Sequence, residues 1–456
     1  MKKMLGLLCL IAFKHAGAQQ VVSFKDLLEA VAQNYPSIKA KQAGIKAAGY
    51  YTNAAKKDFL PDLVVGDQYT YSTNNGLVGS FYNNEGSTIS TSGGVRADNI
   101  YQGVFGSFTT LSIDWRAFTF GRLKQAVLYA QAQEKLAQDD YQNEIFKQKI
   151  TAADAYLQLA LLLKLQAVQQ QNLDRAATFQ QYISSRSGAG LIPGADSSYA
   201  NAEVAKARLA LLQSQQNAAQ QRIILAQLSG IRQDSINVDT SFFLTTLPPD
   251  IIKDTFNIQS HPYLQYAQQQ VNLSREKSLV VKKAVLPTIN ILGMGWARGS
   301  GVDKDGDYSS KISDGIPYKT YNYMAAVAVK WNITSLARNK QEQKAATQEI
   351  EASRFRMNEQ ELALQSQSDN ARLQYQLALQ QTQVAPVQYK SAYDAYQQSN
   401  ARYQAGLATL TELVQTLYVL NRADVDKAVA NNNVWRGLLM QTAATGNLSM
   451  FTNQLP

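Results

Sequence analysis

The sequence predicts a mainly helical chain with a small set of bilayer-length strands, the whole pattern built twice. Three observations predict this: an internal duplication, four segments of strand-like alternation, and helical runs too long for an ordinary globule. The 456 residues suffice for two or three ordinary domains or one elongated body.

The duplication is read from paired landmarks. Pro36 and Pro61 stand 25 residues apart, as do Pro262 and Pro287, and the two pairs share an offset of 226. Beyond them the offset is 216: Trp115 matches Trp331, Arg122 matches Arg338, Gly190-Leu191 matches Gly406-Leu407, and Gly230 matches Gly446. The first repeat therefore holds ten extra residues between Pro61 and Trp115, within the Gly-, Asn-, Ser- and Thr-rich stretch 72–103. Its counterpart, 299–319, is shorter. An exposed loop absorbs such an insertion at little cost.

Taken in order, residues 1–18 read as a secretory signal. Lys2 and Lys3 precede the apolar run 4–13, and Ala16-Gly17-Ala18 offers a small-x-small cleavage site. The first repeat covers 19–230, with helices 36–59, 121–185 and 196–229 and strands 62–72 and 104–116. A connector, 231–261, leads to the second repeat, 262–446. That repeat has helices 262–285, 335–404 and 411–445 and strands 288–298 and 321–333, followed by a tail, 447–456.

The strands are called by alternation. Tyr321, Tyr323, Val327, Val329, Trp331 and Ile333 share one parity, against Asn322, Lys330 and Asn332 on the other. Leu63, Val65, Tyr69 and Tyr71 oppose Gln68, Thr70 and Ser72; Leu111, Ile113 and Trp115 oppose Thr110, Ser112 and Asp114. The third strand is less clear, with Ile289 and Ile291 against Leu292, Met294 and Trp296. Each segment is close to the roughly 9–11 residues of a tilted membrane strand. Tyr69, Tyr71, Trp115, Trp296, Tyr321, Tyr323 and Trp331 fit aromatic girdles near strand ends. A soluble sandwich edge with aromatics in its core fits the same pattern. If the strands enter lipid, four cannot close a barrel, and other copies of the chain must complete the sheet.

The long helical runs would each extend about 100 Å at 1.5 Å per residue. Val204, Leu211, Ala218 and Leu225 recur every seven, as do Tyr389, Tyr396 and Tyr403, which predicts coiled-coil packing. Pro386 is expected to kink the last long helix.

Composition excludes much chemistry. Cys9, inside the signal, is the sole cysteine, so the mature chain is expected to have neither disulfide nor thiolate metal site. His261 would be its sole histidine, and its place before Pro262 at a helix start reads as structural. The net charge of +9 falls to +6 without Lys2, Lys3 and Lys14, and the basic residues are dispersed, so no nucleic-acid partner is expected. No nucleophile elbow, phosphate loop or metal cluster is present; neither an enzyme nor a cofactor is expected.

The segment Arg402-Tyr403-Gln404-Ala405-Gly406-Leu407-Ala408-Thr409-Leu410-Thr411-Glu412-Leu413 resembles a turn of the TolC-like outer-membrane efflux protein family. The turn 190–196 and the junctions Leu60-Pro61 and Leu286-Pro287 are similar to that family too. The resemblance covers nearly the whole mature chain. It implies a homotrimer in which each chain gives four strands to a twelve-stranded outer-membrane β-barrel and long helical hairpins to a periplasmic α-barrel. It further implies an exit duct of a tripartite efflux or type I secretion system, passively conducting what an inner-membrane pump and a periplasmic adaptor deliver. Gly190, Leu191, Asp196, Gly406, Leu407 and Thr409 would form the periplasmic tip where the adaptor docks. Where the family often carries Asp-x-x-Asp to narrow that tip, this sequence has Glu412 and Gln415, retaining one carboxylate. Glu412 serves equally as a helix N-terminal acid, and Asp196 as a cap. The alternative is a periplasmic coiled-coil adaptor without its own pore, although adaptors carry no duplicated hairpins.

Overall fold

The computed structural model describes residues 23–73, 75, 97–248 and 258–455. The expected signal and most of the polar stretch 72–103 lie outside them. In chain order the elements are α1 (Phe24–Asn34), α2 (Pro36–Lys57), β1 (Asp62–Ser72), β2 (Val104–Phe118), α3 (Arg122–Gly188), α4 (Gly194–Ser229), α5 (Thr240–Thr245), α6 (Pro262–Lys283), β3 (Thr288–Ser300), α7 (Ile312–Gly315), β4 (Thr320–Lys330), α8 (Ser335–Gln404), α9 (Leu410–Thr445) and α10 (Ser449–Thr452). They fall into two compact units. One comprises Ile45–Leu136 and Gln269–Arg354; the other comprises Met1–Gly44, Ala137–Gln268 and Phe355–Pro456.

The first unit holds the one sheet found among the described residues, in the antiparallel order β1-β2-β3-β4. β1 and β2 pair from Asp62↔Asp114 to Ser72↔Val104, and β3 and β4 from Thr288↔Lys330 to Arg298↔Thr320. Between the hairpins, β2 pairs with β3 from Gly106↔Ser300 to Trp115↔Ile291, and an irregularity then carries the pairing to Phe118↔Ile289. This bulge lets β2 run on to Phe118 instead of ending at 116. β4 stops at Lys330, three residues short of the expected 333, because Asn332 turns the chain into α8. Its side-chain oxygen accepts from Ser335 N–H at 3.2 Å and Thr334 Oγ1 at 2.8 Å. α2 and α6 end at Lys57 and Lys283, two residues earlier than expected in each case. The residues that follow carry the carbonyls of Phe59 and Val285, which accept from the Trp115 and Trp331 indoles at 2.9 and 3.0 Å.

The second unit is helical. Ala200, Ala207 and Ser214 interleave with Leu211, Ala218 and Leu225 as the buried stripe of α4, the four–three alternation of a coiled-coil seam. Its main core gathers Phe24, Leu27, Leu28 and Val31 of α1, Ala152–Ala160 of α3, and Val434, Trp435, Leu438 and Leu439 of α9. Phe24, Tyr156, Phe243, Trp435 and Phe451 meet edge-on or tilted at 5.1–6.0 Å. Two contributors come from segments expected to be irregular. The connector 231–261 supplies Phe243 from α5, capped by Asp239, and the tail 447–456 supplies the fully buried Phe451 from α10. α1 was not expected either; Ser23 caps it by accepting from Asp26 N–H at 3.1 Å. α8 runs on through Pro386 as one helix.

Buried His261 joins α6 to the end of α9. Its Nδ1 accepts from Tyr263 N–H at 3.1 Å, so Nε2 carries the proton donated to the Ala443 carbonyl at 3.0 Å. Gly446, the left-handed cap of α9, packs against it so closely that a Cβ would stand 2.8 Å from the His261 Cα. The histidine is therefore structural, as its place in the sequence predicts.

Candidate functional site

Register assigns every strand residue to one of two faces, since directly opposed residues share a face. One face carries Leu63, Val65, Leu111, Ile113, Ile291, Val327 and Val329 together with Tyr69, Tyr71, Tyr321 and Tyr323. These side chains are unusually open for apolar groups: Tyr323 is 90 % exposed and Val327 72 %. An apolar surface of this extent marks contact with lipid or with another chain. Trp115 shares this parity and lies at the helix-side end of the sheet, Trp331 just beyond it, and Tyr69, Tyr71 and Tyr321 toward the loop side.

The opposite face is the more polar one: Asp62, Asp114, Asn290 and Lys330 near the helices, then Ser112, Thr110, Asn322, Gln68 and Arg298, with Val64, Phe108, Leu292, Met294 and Met324 among them. Asp114 accepts from Asn290 Nδ2 at 2.6 Å and from Lys330 Nζ at 3.1 Å. Trp296 belongs to this face, between Thr110 and Asn322, and four residues from the end of β3. It is therefore not one of the apolar-face aromatics. The error arises because β3 carries large apolar groups at both parities, so that only pairing decides the face.

The helical turns form the second candidate region. Gly190 and Gly406 adopt left-handed φ of 72° and 77°. After each, the chain closes the same pair of bonds. Leu191 and Leu407 N–H donate to Arg186 and Arg402 carbonyls at 2.9 and 2.8 Å, and Gly190 and Gly406 N–H to Ser187 and Tyr403 carbonyls at 3.0 Å each. This is the Schellman arrangement, which needs a residue without Cβ strain at the turn. Buried Ile183, Ala200, Tyr403, Leu410 and Leu413 pack the two hairpins together, with Ile192 and Ala408 against them. Tyr403 meets Phe179 at 5.8 Å, ring to ring. Leu191 and Leu407 stay 67 % and 69 % exposed, an apolar side chain on each turn.

Asp196 is not a cap. α4 begins at Gly194 after Pro193, so Asp196 is the third residue of the first turn, where its charge meets the positive helix end. Glu412 is the acid of a complete capping box: Thr409 Oγ1 accepts from Glu412 N–H at 3.2 Å, and the Glu412 carboxylate from Thr409 N–H at 3.0 Å. Gln415 is exposed one turn on.

Among the described residues no acidic or His/Cys group could hold a metal, and no helix is long and apolar enough to cross a membrane. Sequence reasoning missed the Trp115–Phe59 and Trp331–Val285 bonds, although the duplication contains the signal: both partners repeat, at offsets of 216 and 226.

The outer membrane efflux protein family matches residues 27–231 and 257–447. No curated protein matches. Among solved structures, the outer membrane protein VceC from Vibrio cholerae is 17 % identical with a TM-score of 0.71, over 93 % of this chain and 96 % of that one. The CmeC outer membrane channel of Campylobacter jejuni is 12 % identical with a TM-score of 0.73, over 93 % and 85 %. The open state of the MtrE outer membrane channel of Neisseria gonorrhoeae is 15 % identical with a TM-score of 0.70, over 93 % and 89 %. At such identities the likeness is one of fold.

Proposed function

The chain belongs to the outer membrane efflux protein family, and from that premise we propose that it is the outer-membrane exit duct of a tripartite export system. Its outer-membrane location follows from the family. The observation that carries the duct reading is the four-stranded sheet, with one exposed apolar face, a more polar opposite face and, among the described residues, two unpaired edges. Lipid tolerates no open edge. Three copies would close twelve strands, apolar face outward and polar face lining a wet lumen. Trp331 and Tyr321 stand ten residues apart on β4 and its extension. At about 3.3 Å per residue and a tilt near 40°, that spacing is roughly 25 Å, the height of an outer-membrane apolar band.

Transport is passive: the duct conducts what an inner-membrane pump delivers through a periplasmic adaptor. The paired turns bearing Gly190, Leu191, Gly406 and Leu407, with Asp196 and Thr409 beside them, are the proposed adaptor-docking tip. Glu412 and Gln415 follow on α9 as the candidate constriction. A pore-less coiled-coil adaptor would gain nothing from an exposed apolar sheet face.

Purified protein reconstituted in planar lipid bilayers should form stepwise ion-conducting pores, and its deletion should sensitise cells to toxic compounds or block export of a polypeptide. A monomer that neither inserts nor conducts would overturn the reading.

A further inference from the structure

We infer that the edge strands of neighbouring copies join in one definite register: β4 of one copy pairs with β1 of the next so that Lys330 opposes Gly66 and Val327 opposes Tyr69. The inference rests on the multimeric duct reading above and adds the residue-level seam.

The argument starts inside one chain. Asp62↔Asp114 joins β1 to β2, and Thr288↔Lys330 joins β3 to β4. The offsets of 226 and 216 convert the first pair into the second, so the hairpins are equivalent in register as well as in sequence. A ring of such hairpins needs a joint between consecutive ones. The chain contains one example, β2 to β3, with Asp114↔Leu292 and Leu111↔Gly295. The corresponding joint, β4 to β1, has no partner among the described residues of the chain, because these strands are the two edges of the sheet. Carried through the same offsets, Asp114↔Leu292 becomes Lys330↔Gly66, and Leu111↔Gly295 becomes Val327↔Tyr69.

This register keeps the faces of the sheet, and one feature outside the construction agrees with it. Val327 and Tyr69 both belong to the apolar face, and Lys330 and Gly66 both to the polar face, whereas a one-residue slip would mix the faces. Side-chain sizes also complement: Lys330 is the longest side chain on the polar face of β4, and Gly66 is the sole glycine of β1. The nearest competitors that keep the faces are two-residue slips, which pair Val327 with Asp67 or Tyr71.

Disulfide trapping tests the seam in the full chain. Cys9 is the only native cysteine, so Cys9→Ser gives a clean background. Val327→Cys/Tyr69→Cys and Ala328→Cys/Gln68→Cys sample the two faces, and so both kinds of cross-strand spacing. After mild oxidation, at least one of these should yield reducible covalent trimers, about tenfold more than Val327→Cys/Asp67→Cys or Val327→Cys/Tyr71→Cys. A trimer, measured by mass in detergent, that links better in a slipped pair, or in neither in-register pair, would overturn the register alone. A monomeric mass would instead remove the assembly reading, and the seam with it.

Discussion

Thr409 and Glu412 satisfy each other's backbone donors at the start of α9, and that geometry separates two roles a carboxylate could have there. Glu412→Ala should cost about 1 kcal/mol of helix capping, read as a lower melting temperature. Glu412→Gln keeps an acceptor for the Thr409 N–H and should leave the melting temperature unchanged. Any change in the cation selectivity of reconstituted pores by Glu412→Gln would then report charge alone, and unchanged selectivity would restrict the residue to capping. His261 gives a pH prediction. Burial holds its imidazole below the usual histidine range, so the unfolded chain binds the extra proton. Its contribution to stability is complete above about pH 6.5 and is lost as pH falls through that value toward the folded pKa. Between pH 7.5 and 5.5 the melting temperature should fall, and His261→Gln should flatten that fall. Tyr156, its phenol pushed up to about 12 by burial, stays neutral throughout.

Elements differed in how plainly the sequence announced them. α4, α8 and α9 were legible because their apolar stripes are long. α1 has Phe24, Leu27, Leu28 and Val31 at helical spacing behind a Ser23 cap, a readable signal. It stands before α2, outside the pattern that the two repeats share, so the duplication does not mark it. α5 and α10 span six and four residues, too few for periodicity to register, yet Phe243 and Phe451 complete the aromatic core. The strand faces were legible in β1, β2 and β4 and ambiguous in β3, where large apolar groups stand at both parities and pairing puts Trp296 on the face opposite the other girdle aromatics. Strand and helix ends moved by up to three residues, for reasons rooted in side chains such as Asn332. The helix–strand junctions make a test at this scale. Trp331→Phe keeps the ring but removes the bond to the Val285 carbonyl, and should cost about 1 kcal/mol. Trp115→Phe should behave alike, and denaturant unfolding of each variant measures it.

For the whole molecule, the two faces of the sheet predict opposite tolerance to charge. Val327→Arg puts a cation on the apolar face, where burial in the bilayer midplane costs roughly 2–4 kcal/mol, and should reduce recovery from the outer membrane. Ala328→Arg, one residue on and facing the polar side, should assemble normally and alter pore conductance. Membrane fractionation and single-channel recording distinguish the two. Asp114 and Lys330 occupy equivalent positions of the two repeats and touch at 3.1 Å. A ring assembled from a single unduplicated hairpin would repeat one and the same side chain at that position in every unit. With the hairpin present twice in one chain the two positions differ, so acid and base would alternate at that position around the proposed ring. In the proposed duct, with Arg116 4.0 Å from Asp62 and Lys330 on Asp114, the two carboxylates that each chain brings to that level would both be offset, so cargo of either sign would meet no like-charged collar there.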